Sequence, residues 1–159
     1  MTDKEPWVKV LIGAPGSGKS TWIKNNVGDI DDNVVIISSD DLLEKWGKVR
    51  GLTYSEAFNH AEFRFKDIET EMFSILDNAV ANKNNLVIDR TNMSKKSRNR
   101  ILSHVSKDYT RIAIVFNVDR KELDRRLAQR VGKHIPKNVV DGMLKSYEEP
   151  SEFSKVINV

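Results

Sequence analysis

Gly13-Ala14-Pro15-Gly16-Ser17-Gly18-Lys19-Ser20 fits the pattern G-x-x-x-x-G-K-[ST], and its setting decides how the chain is read. The residues before it, Trp7–Gly13 (WVKVLIG), pass from alternating to continuously apolar, as a buried strand does. Gly18 to about Asn26 then reads as a helix. A glycine-rich turn between strand and helix aims successive main-chain N–H groups inward at phosphate oxygens. The helix N-terminus adds partial positive charge. Lys19 is placed to reach the β- and γ-phosphates and the Ser20 hydroxyl to bind Mg²⁺. The loop, with Thr21 just beyond it, is therefore expected to hold ATP or another nucleoside triphosphate together with Mg²⁺.

Working outward, Val34–Asp40 (VVIISSD), Leu86–Asp89 (LVID), Arg111–Val118 (RIAIVFNV) and Lys155–Val159 (KVINV) read as four more strands. None alternates cleanly, so the sheet is expected to be covered on both faces, as parallel sheets are. Thr53 and Glu56 have capping-box spacing. After them Phe58, Ala61, Phe65, Ile68, Met72, Ile75 and Ala79 recur every three or four positions, which predicts one helix of about seven turns with an aromatic stripe in the core. Ser94–Val105 reads as a basic helix with Ile101, Leu102 and Val105 inward. A helix is expected from Asp119 to about Arg130, and a last one from Pro136, with Val139, Val140, Met143, Leu144 and Tyr147 as its apolar side. Asp29–Asn33 and Asn82–Asn85 are polar loops. Strands alternating with helices predict a single doubly wound α/β domain over residues 1–159.

With 159 residues and 39% apolar content the chain supports one core. No stretch approaches the roughly 18 apolar residues of a membrane span. Met1 to Trp7 has no apolar segment of the kind a secretory signal needs. Cysteine is absent, which excludes thiolate nucleophiles and disulfides and fits a cytoplasmic setting. The net charge of +3 is unevenly spread: residues 1–89 carry a net −5, residues 90–137 a net +10. A basic middle segment suits an anionic partner, and equally a set of solvated helix faces.

Two acids stand at strand ends. Asp89 has the look of a Walker B acid that holds Mg²⁺ directly or through water. Asp40 is placed either to take a proton from an attacking hydroxyl or to serve the following helix structurally, with Asp41 as that helix's cap. Arg126 and Arg130, four apart, would share a helix face and lead into Val-Gly-Lys-His-Ile-Pro, a segment suited to a mobile lid over the transferred phosphoryl group.

Taken together, residues 13–22, Ile-Ser-Ser-Asp (37–40), Val-Ile-Asp-Arg-Thr-Asn (87–92), Val-Phe-Asn-Val (115–118) and the Arg126/Arg130 pair resemble the 5′-hydroxyl polynucleotide kinase domain of bacteriophage end-healing enzymes and bacterial RNA-repair proteins. The resemblance runs from about Val8 to Tyr147. It implies a small P-loop kinase with a mostly parallel five-stranded sheet and an arginine-bearing lid. It also implies transfer of the ATP γ-phosphate to a 5′-OH end of DNA or RNA. On that resemblance Lys19 and Ser20 bind phosphates and Mg²⁺, and Asp40 is the general base. Arg126 and Arg130 belong to the lid. Asp41, Arg90, Thr91 and Asn92 lie toward the acceptor, and Ile135 and Pro136 line its terminal nucleotide.

Two departures stand out. The family carries an arginine three residues after the base aspartate, and this chain has Leu43 there, with Arg50 or Arg90 as substitutes. The Asp-x-Asp-Gly-Thr segment of the phage phosphatase half is absent. A small-molecule kinase, favoured by Leu43, remains the alternative, followed by a toxin-type kinase or a nucleotide-binding switch.

Overall fold

The computed structural model describes residues 5–27, 33–60 and 62–159. Five strands form one sheet: β1 (Trp7–Ile12), β2 (Val34–Ile37), β3 (Asn85–Ile88), β4 (Thr110–Val115) and β5 (Lys155–Asn158). The strand order is β2-β3-β1-β4-β5, and every pairing is parallel. All five strands fall within the apolar runs read from the sequence, or within a residue of them. Parallel strands need crossovers, and the helices supply them: α1 (Lys19–Asn26), α2 (Ser39–Val49), α3 (Tyr54–Phe58), α4 (Phe65–Ala81), α5 (Lys95–Leu102), α6 (Arg120–Ala128) and α7 (Lys137–Lys145). Among the described residues no helix is long and apolar enough to cross a membrane.

Both faces of the central strands β1, β3 and β4 are buried, which explains their unbroken apolar runs. On one face Val8, Val10, Ile12, Leu86, Ile88 and Val115 pack with Met72 and Leu76 of α4 and Ile101 and Leu102 of α5. On the other, Leu11, Val87, Ile114 and Phe116 pack with Trp22, Ile23 and Val27 from α1 and its end. The chain therefore leaves β1 toward one face and β3 toward the other. Adjacent parallel strands whose exits diverge leave a crevice at their C-terminal ends. That crevice positions the site.

The structure corrects the long helix predicted from Thr53 onward. The capping box is present, with the Thr53 side chain accepting from Glu56 N and the Glu56 carboxylate from Thr53 N. The helix it opens ends at Phe58, however, and α4 starts only at Phe65. Trp46 of α2 makes edge contacts with His60 and Phe63 at centroid distances of 5.7 and 5.8 Å. That packing holds the connecting turn and overrides the periodicity. Phe58, Phe65 and Ile75 are exposed rather than core, while Ile68, Met72, Leu76 and Ala79 are buried. Ala61 and most of the Asp29–Asn33 loop lie outside the described residues.

Arg98, on the helix read as basic and solvated, is fully buried. Its guanidinium donates to the carbonyls of Asn92 (2.8 Å), Met93 (2.9 Å) and Glu148 (2.9 Å) and to Glu152 Oε1 (2.6 Å). It ties the turn after β3 to the segment after α7.

Candidate active site

The phosphate loop joins β1 to α1. Gly16 and Gly18 adopt φ of 82° and 107°, a region that side chains with a Cβ rarely enter. A Cβ on Gly13 would stand 2.5 Å from Ser17 Oγ and 2.9 Å from Phe116 Cβ. The loop is thus a backbone-lined cradle closed to larger residues. Helix α1 has no capping side chain and no acid in its first turn, so its N-terminal N–H groups and positive end are available to an anion. These features fit a nucleoside triphosphate. Lys19 Nζ donates to Gly13 O at 2.7 Å. Burial lowers the Lys19 pKa to about 8, although Asp89 and Asp40 pull the other way. A phosphate there would restore its ordinary basicity.

A cavity of about 620 Å³ opens beside the loop. Pro15, Lys19 and Ser20 border it on the phosphate side. Asp40 and Asp41 come from α2, Asp89, Arg90 and Thr91 from the turn after β3, and Arg130, Ile135 and Pro136 from the segment between α6 and α7. Residues scattered over more than a hundred positions of sequence thus meet in one place. Burial raises the pKa of Asp89, with Lys19 opposing it, and that of Asp41, with Asp40 adding to the rise. Ser20, with Asp89 nearby, is a donor set suited to Mg²⁺ that arrives on a nucleotide and keeps most of its water.

Asp40 does not end β2. It sits in the first turn of α2, where its charge favours the helix dipole. Asp41 is not the cap: Ser38 is, and its Oγ accepts from Asp41 N at 3.2 Å. Tyr54 Oη donates to Asp40 Oδ1 at 2.9 Å, and Lys133 Nζ donates to Oδ2 at 3.3 Å. Lys133 also lies 3.7 Å from Glu44 Oε1 and 4.4 Å from the centre of the Tyr54 ring. Burial and the Asp40 charge push the Tyr54 hydroxyl up, so it stays a proton donor.

Several residues stand elsewhere than expected. Asn92 is buried, with φ of 51°, and its amide donates to Leu11 O at 2.8 Å. It shapes the turn, which asparagine tolerates in this conformation, and does not border the cavity. Arg130 lies beyond Gln129, the C-terminal cap of α6, so it does not share a helix face with Arg126. Arg126 donates to Gly16 O at 3.2 Å and to Glu122 at 3.0 Å, bracing the outside of the loop, while Arg130 borders the cavity. The lid segment rests on α3: Ser55 N donates to Gly132 O at 3.1 Å, and His134 N donates to Ser55 Oγ at 2.9 Å. Leu43 is buried and does not border the cavity. Of its two substitutes, Arg90 borders the cavity, whereas Arg50 lies over the Trp46 ring at 3.9 Å.

Sequence reading missed Tyr54, Lys133, Phe58 and Phe65, which all border the cavity. The capping box placing Tyr54 at a helix start, and the lysine beside Gly132 in the lid, were the available signals.

Residues 8–150 match the family model AAA_33, described as an AAA domain. A chain of the Pnkp1/Rnl/Hen1 RNA repair complex is similar at 26% identity and a TM-score of 0.71, over 91% of this chain and 45% of that one. This chain thus spans less than half of that relative's length. A gluconokinase from Sinorhizobium meliloti 1021 is similar at 18% identity and a TM-score of 0.57, over 99% and 83% of the two chains. A fungal RNA kinase is similar at 18% identity and a TM-score of 0.59, over 97% and 74%. The last two likenesses are likenesses of fold.

Proposed function

Since the chain belongs to the AAA_33 family of AAA domains and has the P-loop kinase fold, we propose that it is an ATP-dependent polynucleotide 5′-hydroxyl kinase. The observation that carries this reading is the single cavity that joins a phosphate side, Lys19 and Ser20, to an acceptor side with a carboxylate, Asp40, beside Thr91, Ile135 and Pro136. The 26% identity to a chain of an RNA repair complex supports the choice of acceptor.

In this reading the loop and Lys19 hold the β- and γ-phosphates in line with the acceptor. Ser20, assisted by Asp89, would hold Mg²⁺, which would supply neutralising charge to the phosphates. Asp40 takes the proton of the 5′-OH as the oxygen forms its bond to the γ-phosphorus. The bond to the β-bridging oxygen breaks, and ADP leaves. Arg130 counters the charge that spreads over the transferred group. Arg90, which borders the cavity, would grip the acceptor's first phosphate in place of the family's arginine at position 43.

A small-molecule kinase is the second reading, favoured by Leu43, which removes that arginine. γ-Labelled ATP should be offered in parallel to a 5′-OH oligonucleotide, to a panel of nucleosides and sugars, and to no acceptor. Label on the oligonucleotide is expected. Label confined to small molecules supports the second reading, and release of phosphate without acceptor supports a switch. Asp40→Asn should abolish label transfer while ATP binding survives. Loss of both together would assign Asp40 to the helix alone.

A further inference from the structure

Three aromatic side chains reach the cavity from outside the basic block: Tyr54 and Phe58 of α3 and Phe65 at the start of α4. Phe58 and Phe65 are 51% and 43% exposed, although Ala57 and Ile68 on the same helices are buried. Large apolar rings grouped at the mouth of a polar cleft mark a contact surface, whereas scattered ones do not.

The rings are also braced. Tyr54 and Phe58 lie nearly parallel, with 17° between planes and 6.4 Å between centroids. Phe63 backs both exposed phenylalanines, at 5.7 Å from Phe58 and 6.4 Å from Phe65, and itself packs edge-on against Trp46. The exposed faces are therefore held in place before any ligand arrives. Arg90, Arg130 and Lys133 border the same cavity, as do Asp40, Asp41, Glu44 and Asp89, and Lys133 Nζ stands 4.4 Å from the centre of the Tyr54 ring.

Flat apolar faces flanked by fixed cations match the two chemical parts of a single strand, its bases and its phosphates. Within a duplex each internal base is covered on both faces by its neighbours, whereas an unpaired end nucleotide can turn its face to a protein. We propose that Tyr54, Phe58 and Phe65 form a stacking shelf for unpaired bases at the 5′ end of the acceptor, so that the protein selects single-stranded or overhanging ends. The proposal rests on the polynucleotide reading above and specifies the acceptor for it. The shelf comes from the acidic first half of the chain, so the basic block supplies charge and α3 and α4 supply the stacking.

The test is binding of a single-stranded 5′-OH oligonucleotide carrying 2-aminopurine at its first or second position, in the presence of Mg²⁺ and a non-hydrolysable ATP analogue. Stacking should quench its fluorescence. Phe58→Leu, which keeps apolar bulk but removes the ring, should weaken binding about tenfold, given what one base–aromatic stack contributes. Abasic nucleotides at the two 5′ positions should weaken wild-type binding by a similar factor and add little to Phe58→Leu. The same end recessed in a duplex should bind less tightly than the free strand. The shelf is overturned if the oligonucleotide does not bind, if Phe58→Leu binds as wild type does, or if the abasic effect is undiminished in the variant. Quenching without label transfer would sink the kinase reading and keep the shelf. Label transfer that ignores both changes would keep the kinase and sink the shelf.

Discussion

Replacing Arg98 by methionine tests how the turn that carries Arg90 and Thr91 is held. Methionine matches the length of the aliphatic stem but supplies no donor. Exchanging both partners of a buried ion pair for apolar groups is often harmless. Here most of the partners are main-chain carbonyls, which no mutation removes. Met93 O retains a second donor, Glu148 N at 2.8 Å, and Glu149 O retains Ser151 N at 2.9 Å. Asn92 O and Glu148 O lose the guanidinium, and Asn92 is 3% exposed, so water does not readily replace it. A buried acceptor left bare costs about 1–3 kcal/mol, and the lost charge-assisted bond to Glu148 O a similar amount. The Glu152 carboxylate is 23% exposed and adds less, because solvent reaches it. The expected loss is thus about 3–5 kcal/mol, or about 10 °C in thermal midpoint for a chain of this size. Urea titration with matched slopes reads it directly. A loss below about 1 kcal/mol would refute the carbonyl accounting. The effect should reach the site as well, since Thr91 O accepts from Gly13 N at 3.0 Å and Asn92 holds Leu11 O.

Two further predictions concern buried positions on either side of the cavity. Lys19 has its pKa lowered from 10.5 to about 8 by burial. The unfolded chain therefore binds this proton more tightly than the folded one, the group destabilises the fold below pH 8, and that penalty fades as pH rises toward 10.5. Relative to Lys19→Met, the nucleotide-free wild type should gain roughly 2 kcal/mol between pH 7 and pH 10, after allowance for screening. Parallel stability profiles of the two proteins would contradict the shift. Gly47, on α2, faces α3 so closely that an added Cβ would stand 2.8 Å from Ala57 Cβ. Gly47→Ala should lose about 1–3 kcal/mol by forcing the helices apart. It should also weaken the Tyr54 contact to Asp40, which a lower denaturation midpoint together with slower turnover would report.

Local signals were legible in the sequence, and long-range ones were not. The phosphate loop needs glycines at fixed positions between a strand and a helix, so Gly13–Ser20 announced itself and its flanks. Apolar runs located all five strands; the central β1, β3 and β4 are buried on both faces, whereas the edge strands β2 and β5 leave Ile36 and Val156 exposed. The helix after Thr53 misled, because nothing in its periodicity reveals that Trp46 claims His60 and Phe63. Arg98 looked like one more charge on a basic helix, since only folding brings carbonyls from positions 92, 93 and 148 around it. Asn92 was read as facing the acceptor, but the turn needs an asparagine at positive φ for its own sake. Tyr54 and Lys133 reach the two oxygens of Asp40 from separate elements, an arrangement that no spacing encodes.

The engagement of Asp40 bears on its aim. Both its carboxylate oxygens accept a hydrogen bond, one from Tyr54 and one from Lys133. Each carboxylate oxygen accepts through two lone pairs, and the Asp40 side chain is 53% exposed, so water and an incoming hydroxyl both still reach it. An arriving hydroxyl would therefore find the carboxylate aimed but not blocked. Lys133 belongs to the segment between α6 and α7 and Tyr54 to α3, so the two grips come from separate elements. Should Asp40 serve as the base, these grips would steer its aim toward the acceptor rather than guard waiting ATP from water.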